Sequence, residues 1–374
     1  MTSVDRVACE SWFRRISEVN RRQLTRAGAS IPERDRRATG LRGLGAGLRR
    51  LVGSAPREQE HDWTVALNAL GAEVAHRHYR HDEDLRALRS LFDRTLDPDG
   101  RWTTPIRTVA HCMKGYSLAY LIELTGDRRY EQGFRELGAF LLATHPRASD
   151  HCLPYVPQSA ELLVDTLGMV CPLLARLAGR MNLPDAGELA LRQLGTFVRE
   201  NVDSETYLPY HGYYAGGPRH LGLHGWGRGT GWYLLGLADT LLELDRDGDS
   251  WERLRDAFQR AVESLARYQR PDGHWNWAIL HERTDYDSSA TALIGYAILR
   301  AIQGGMLDGS NRQLVDSAIR ALMQSTRPDG VVDHSSAECR GLGRYPMGYG
   351  PRPWLQGSAT AFAALYLRRP EGMT

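Results

Sequence analysis

Lysine is almost missing from this chain: Lys114 is the only one, and every other basic side chain is arginine. That skew runs along the whole sequence, so an arginine-rich stretch carries little meaning of its own. Cysteine is scarce too. Cys9, Cys112, Cys152, Cys171 and Cys339 are five, an odd number, and no two form a C-x-x-C pair. A disulfide framework and a cysteine zinc cluster are thereby excluded. The net charge is only +2, which gives no sign of a nucleic-acid partner. Met1 to Glu18 holds Asp5, Arg6, Glu10, Arg14 and Arg15 and no apolar run, so no secretory leader is expected. No stretch reaches the roughly 20 apolar residues of a membrane span. The expectation is a reduced, cytoplasmic protein with no membrane partner, its oligomeric state left open. The P-loop pattern, a dinucleotide fingerprint, H-E-x-x-H and G-x-S-x-G are all missing. Metal-ligating residues do not cluster at useful spacing. Neither a cofactor nor a metal is expected.

What is present is helical. Runs over 108–124, 128–143, 159–177, 186–202, 232–244, 250–268, 288–302, 311–325 and 357–367 have helical periodicity, and no comparable run alternates with period two. Amphipathic helices with one charged face alternate with helices rich in Ala, Gly and Ser. The turn Pro98-Asp99-Gly100-Arg101-Trp102 recurs as Pro271-Asp272-Gly273-His274-Trp275 and Pro328-Asp329-Gly330-Val331-Val332. About a dozen alternating helices point to an all-α protein with an (α/α)6 barrel of inner and outer helices; the alternative is an α-solenoid. Residues 61–374 are read as the barrel. Residues 1–60, with irregular sequence over 21–60, are read as a partly helical extension of unknown role.

Several segments carry chemistry. In Gly225-Trp226-Gly227-Arg228-Gly229-Thr230-Gly231-Trp232 the glycines permit close approach of a ligand, the indoles of Trp226 and Trp232 can stack on sugar rings, and Arg228 offers a planar fork for a carboxylate. The alternative is a glycine-rich entry to a helix with both indoles in the core. In the aromatic loop Tyr207 to Tyr214, Tyr210 and His211 stand together, and His211 can change charge near neutrality or serve structurally. Asp165 interrupts an apolar helix. It lies on a stripe with Glu161, Gly168, Pro172 and Arg176 that faces either solvent or a cavity, where a carboxyl would suit proton transfer. Asp287 can cap the helix that follows it or reach a cavity rim. His111 and Lys114 are three apart, on one face of an inner-type helix. The segment from Tyr345 to Gly357 is too aromatic for a plain connection, and suits either a cover over a site or a packed closure of the last helices.

These motifs resemble the unsaturated glucuronyl and rhamnogalacturonyl hydrolases, glycoside hydrolase families 88 and 105, from about Arg107 to the C-terminus. The resemblance rests on Tyr210-His211-Gly212 followed by Trp226-Gly227-Arg228-Gly229-Thr230-Gly231-Trp232. Val164-Asp165-Thr166-Leu167 with Pro172, Asp272-Gly273-His274-Trp275, and Asp287-Ser288-Ser289-Ala290-Thr291-Ala292 add to it. It implies an (α/α)6 barrel and a polysaccharide-degrading hydrolase that hydrates the C4=C5 double bond of a terminal unsaturated uronide, after which the sugar is released. By the same resemblance Asp165 is the general acid, and His211, Trp226, Arg228 and Trp232 bind and orient the sugar. The chain departs from the pattern at one place. Where the family has a second acidic residue before the glycine matched by Gly115, this chain has Val109 to Lys114 and no carboxylate. Two other functions follow from that departure. One is a carbohydrate-binding barrel without catalysis; the other is a glycosidase, lyase or epimerase on another sugar in a biosynthetic pathway, with more weight on His111, Lys114 and Asp287.

Overall fold

The computed structural model describes residues 4–26 and 63–368. The irregular arginine- and glycine-rich sequence read over 21–60 falls outside these from residue 27 onward.

Among the described residues twelve α-helices run in sequence: α1 (Arg6–Thr25), α2 (Trp63–Tyr79), α3 (Asp82–Thr95), α4 (Gly115–Thr125), α5 (Arg128–Ala139), α6 (Asp165–Met181), α7 (Pro184–Asn201), α8 (Gly227–Glu243), α9 (Asp249–Tyr268), α10 (Ser288–Gln303), α11 (Arg312–Gln324) and α12 (Pro353–Leu367). The even-numbered helices form the inner ring. Each packs on the next, and α12 closes the ring against α2. The odd-numbered helices lie outside, which makes the fold an (α/α)6 barrel. The residues explain the division. Inner α8 is buried from Gly227 through Leu241, whereas outer α9 buries one stripe, among it Trp251, Leu254, Phe258, Ala261 and Leu265. Asp5 and Asp127 cap α1 and α5 by accepting backbone N–H groups, and proline opens α7 and α12. Helix α1 buries Trp12, Phe13 and Ile16 and packs against α2, α3 and α12, so residues 6–25 contribute to the core. No described helix is long and apolar enough to cross a membrane.

The three repeated turns share one physical role. Gly100, Gly273 and Gly330 have φ of 82°, 90° and 85°, and a Cβ there would stand 2.4, 2.3 and 2.8 Å from the carbonyl oxygens of Arg129, Ser317 and Arg15 on three outer helices. Glycine is needed twice over, for the left-handed backbone and for the close approach.

Two short antiparallel pairs interrupt the helices. Strand β1 (Glu161–Leu163) pairs with β2 (Gly212–Tyr214) in the register Glu161 to Tyr214 and Leu163 to Gly212. Strand β3 (Ser335–Ser336) pairs with β4 (Tyr349–Gly350). The helix expected over 159–177 therefore begins only at Asp165, because its first residues are claimed by pairing with the 212–214 segment. The helix expected over 108–124 is split into a 3-10 turn, Val109–Cys112, and α4. The helix expected from Trp232 starts five residues earlier, at Gly227.

Candidate active site at the helix N-termini

The inner helices all run the same way, so their N-termini meet at one end of the barrel. Asp165, Arg228, Ser288 and Pro353 stand in the first turns of α6, α8, α10 and α12. Positive helix ends gathered there favour an anionic ligand.

The β1–β2 pairing brings Asp165 and His211 together. Val164 N donates to the carbonyl of His211 at 2.9 Å, so the backbone fixes the two side chains side by side. His211 Nε2 lies 3.4 Å from Asp165 Oδ2, with the imidazole 1% exposed and the carboxylate 14%. That separation is a charge contact with poor hydrogen-bond alignment, which leaves Oδ2 buried without a good donor. On the other side His211 Nδ1 is 2.8 Å from the Tyr345 hydroxyl, which also accepts from Leu223 N at 2.9 Å. When the imidazole is protonated both ring nitrogens donate, Nδ1–H to the Tyr345 hydroxyl and Nε2–H toward Asp165. Cys339 Sγ is 4.0 Å from Nε2. Burial pushes the imidazole pKa down, but the contacts with Asp165 and then Cys339, together with the Asp165 charge, outweigh it and hold the pKa at about 9. Gly222 makes the arrangement possible: at φ 77° it has no Cβ, which would stand 2.7 Å from His211 Cβ and 2.8 Å from the Tyr345 hydroxyl.

Trp226 forms one wall. Its ring centroid is 4.7 Å from that of His211 and 5.6 Å from that of Tyr345. Its Nε1 is buried without a partner. A buried donor and a buried acceptor, both unsatisfied, are costly unless a ligand completes them. Gly229 lets the indole fold down on the helix, because a Cβ there would sit 2.5 Å from Trp226 Cε3. The aromatic segment near the C-terminus takes part as a cover, since Tyr345 packs on Trp226, Trp277 and His211.

The structure changes the roles expected of several residues. Arg228 is buried and its Nη1 donates to the carbonyl and hydroxyl of Ser336 (3.1 and 2.7 Å), its Nη2 to the carbonyl of Ala337 (2.9 Å). Most of the fork is thus committed to the 336–337 backbone rather than left open for a carboxylate. Asp287 is fully buried. It caps α10 through Ser289 N and accepts from the Ser336 hydroxyl at 2.6 Å, so it is an anchor instead of a cavity rim. Trp232 is fully buried, edge-on to Trp63 at 5.7 Å and pressed against Gly168, which makes it floor packing and leaves no face for a sugar. Tyr210 is sandwiched between His220 and His224, with centroids at 4.6 and 4.3 Å, so both of its faces are covered. Lys114 is buried with Nζ 3.9 Å from the Trp102 ring centroid, a cation–π contact, and His111 Nδ1 accepts from Arg107 N. They leave the shared helix face expected of them, because the 3-10 turn ends between them.

Residues with no motif to mark them complete the site. Ser336 joins Arg228 to Asp287, Cys339 faces His211, and Trp63 and Trp354 pack tilted with centroids 5.1 Å apart, Trp354 under the Arg228 guanidinium. A tryptophan at the start of two inner helices was the one available signal. Among the described residues no group of three or more His, Cys, Asp or Glu gathers as a metal site.

Comparison with known proteins gives the family and the fold. The model of Glycosyl Hydrolase Family 88 matches residues 49–364. The chain is 26% identical over 320 residues to the unsaturated rhamnogalacturonyl hydrolase YesR of Bacillus subtilis, covering 82% of this chain and 90% of that protein. A possible member of the GH105 family from Salmonella enterica superposes with a TM-score of 0.80 at 19% identity, over 98% of this chain and 95% of the other. The unsaturated glucuronyl hydrolase of Bacillus sp. GL1 gives 0.64 at 19% identity, over 82% and 86%.

Proposed function

The chain belongs to Glycosyl Hydrolase Family 88, and we propose that it acts on oligosaccharides ending in an unsaturated uronic acid, hydrating the C4=C5 double bond and releasing that sugar. The observation that carries this reading is the Asp165–His211 pair, with its buried and unpartnered carboxylate oxygen, beside the unpartnered Trp226 Nε1.

In this mechanism the pair holds one proton at neutral pH, shared between Asp165 Oδ2 and His211 Nε2. The substrate carboxylate enters among the helix N-termini and beside the His211 imidazole, and Trp226 Nε1 donates to a ring oxygen or hydroxyl. The added negative charge raises the proton affinity of Asp165, which delivers the proton to C4. Positive charge develops at C5 and is shared with the ring oxygen. Water adds to C5 and returns a proton to Asp165, so the net change is one water across the double bond. The resulting hemiketal opens, and the rest of the chain leaves as an alcohol. One carboxylate serves both proton steps, which suits a chain with no carboxylate over 109–114, before Gly115. Arg228, Asp287 and Ser336 hold the cover, and Tyr345 orients His211.

The test is optical. Purified protein with unsaturated rhamnogalacturonyl and glucuronyl disaccharides is expected to bleach the ultraviolet band of the conjugated double bond. Binding without bleaching would instead favour a carbohydrate-binding barrel.

A further inference from the structure

The β1–β2 pair has a second end. His211 and Asp165 adjoin its Gly212–Leu163 end, whereas Tyr214 and Glu161 close the other. Three residues of strand at ~3.3 Å each place Tyr214 about 10 Å from His211, roughly two sugar units along a chain. A cavity of about 400 Å³ opens there, lined by Asp150, Glu200, Tyr213, Tyr214, Gly217 and Arg219, among others. It lies beside the C-terminus of α7, and outer helices run antiparallel to inner ones, so it is on the same face as the site.

Its chemistry is that of a sugar site. Tyr214 is 41% exposed, large and aromatic, and nothing in the core requires it. Beside it Gly216 and Gly217 present bare backbone. Tyr213 donates to Asp150 Oδ2 at 2.7 Å, and Arg219 pairs with Glu200 at 2.7 Å, so hydrogen-bonding groups are held in place around the ring. Two carboxylates against one guanidinium disfavour a uronate and suit a neutral unit.

We propose that this cavity is a saccharide subsite that receives a neutral sugar of the chain whose unsaturated end lies at His211 and Asp165. The subsite rests on the function proposed above, since it presumes a saccharide in the catalytic pocket. It makes the rigid β1–β2 bar a ruler that couples chain length to binding.

The experiment measures binding by calorimetry in the Asp165→Asn protein, which avoids turnover. The probes are an unsaturated glucuronyl disaccharide and an unsaturated glucuronyl tetrasaccharide whose other three units are neutral. The tetrasaccharide is expected to bind about five- to tenfold tighter, the scale of one aromatic–sugar contact. Adding Tyr214→Ala, or Gly217→Leu to fill the cavity, should remove that advantage and leave disaccharide affinity within about twofold. Equal affinities, an advantage that survives both substitutions, or no binding of either sugar would overturn the subsite. Turnover is read separately on wild-type protein: if both sugars bind with the expected ratio but neither is bleached, the proposed activity fails and the subsite stands.

Discussion

The two ends of the barrel are built from the same inner helices, yet their charged groups are put to different use. At the C-terminal end charges are paired across helices. Arg176 of α6 reaches Glu73 of α2 at 3.6 Å and Glu243 of α8 at 3.2 Å, and donates to the Tyr116 carbonyl of α4 at 2.7 Å. Ser117 donates to Glu73 at 3.0 Å, and Arg300 of α10 pairs with Asp239 of α8 at 2.9 Å. At the N-terminal end Asp165 Oδ2 and Trp226 Nε1 are left unsatisfied and loops cover the opening. One end ties charged side chains of neighbouring helices together, although Asp239 Oδ2 and the Thr240 hydroxyl there also lack a partner; the other sets an unpartnered carboxylate oxygen and indole N–H beside a titratable imidazole. The stripe of Asp165, Gly168, Pro172 and Arg176 spans both, and it faces inward, not to solvent.

Substitutions at the two ends should therefore separate activity from stability. Asp165→Asn is expected to lower kcat by about 10²–10⁴-fold, with the urea midpoint, at pH below about 9, falling only by what the charge contact with His211 contributes; a variant that loses stability but keeps its rate would erase the distinction. Arg176→Ala should do the reverse. It takes one of two guanidinium partners from buried Glu73, which keeps Arg77 at 3.1 Å and Ser117, and leaves the Tyr116 carbonyl without its donor, so it should cost about 1–3 kcal/mol, while the rate per folded molecule holds in denaturant-free buffer. Tyr345→Phe removes the hydroxyl that orients His211 and leaves the packing on Trp226. A loss of about tenfold in kcat/KM, with an altered pH profile, is expected, and an unchanged profile would reduce Tyr345 to a cover.

The smallest effect is in pH. The folded-state pKa of His211 is about 9, above the unfolded value. Its contribution to stability is therefore complete below about pH 6.5 and is lost as pH rises through 9. Activity that depends on the proton held by the pair should fall above the same value. In the Asp165→Asn protein the imidazole resonance observed by NMR should titrate lower, because the largest stabilising contact is gone while burial remains. A midpoint that does not move would contradict the pairing.

Much of this was legible beforehand. The alternation of one-faced and small-residue helices announced the barrel, and the repeated Pro-Asp-Gly turns marked where outer and inner helices meet. Asp165, His211 and Trp226 were marked by their motifs, and the structure brings them together. Arg228, Trp232, Tyr210 and Asp287 were equally visible, but their partners were not. Arg228 meets Ser336, and Tyr345 meets His211 across 134 residues of sequence. No local pattern encodes those encounters, and a motif match assigns the same role to a residue whether its donors are free or spent.

The sequence by itself determined which segments are helical, which faces are apolar and where glycine had to stand, because periodicity, capping and φ are short-range matters. Only the tertiary structure decided which polar groups are satisfied. Satisfaction depends on what a closing ring brings within hydrogen-bond reach, and that reach is set by the packing of all the helices together. It is this long-range condition that links the charges across helices at one end of the barrel and gathers Asp165, His211 and Trp226 at the other.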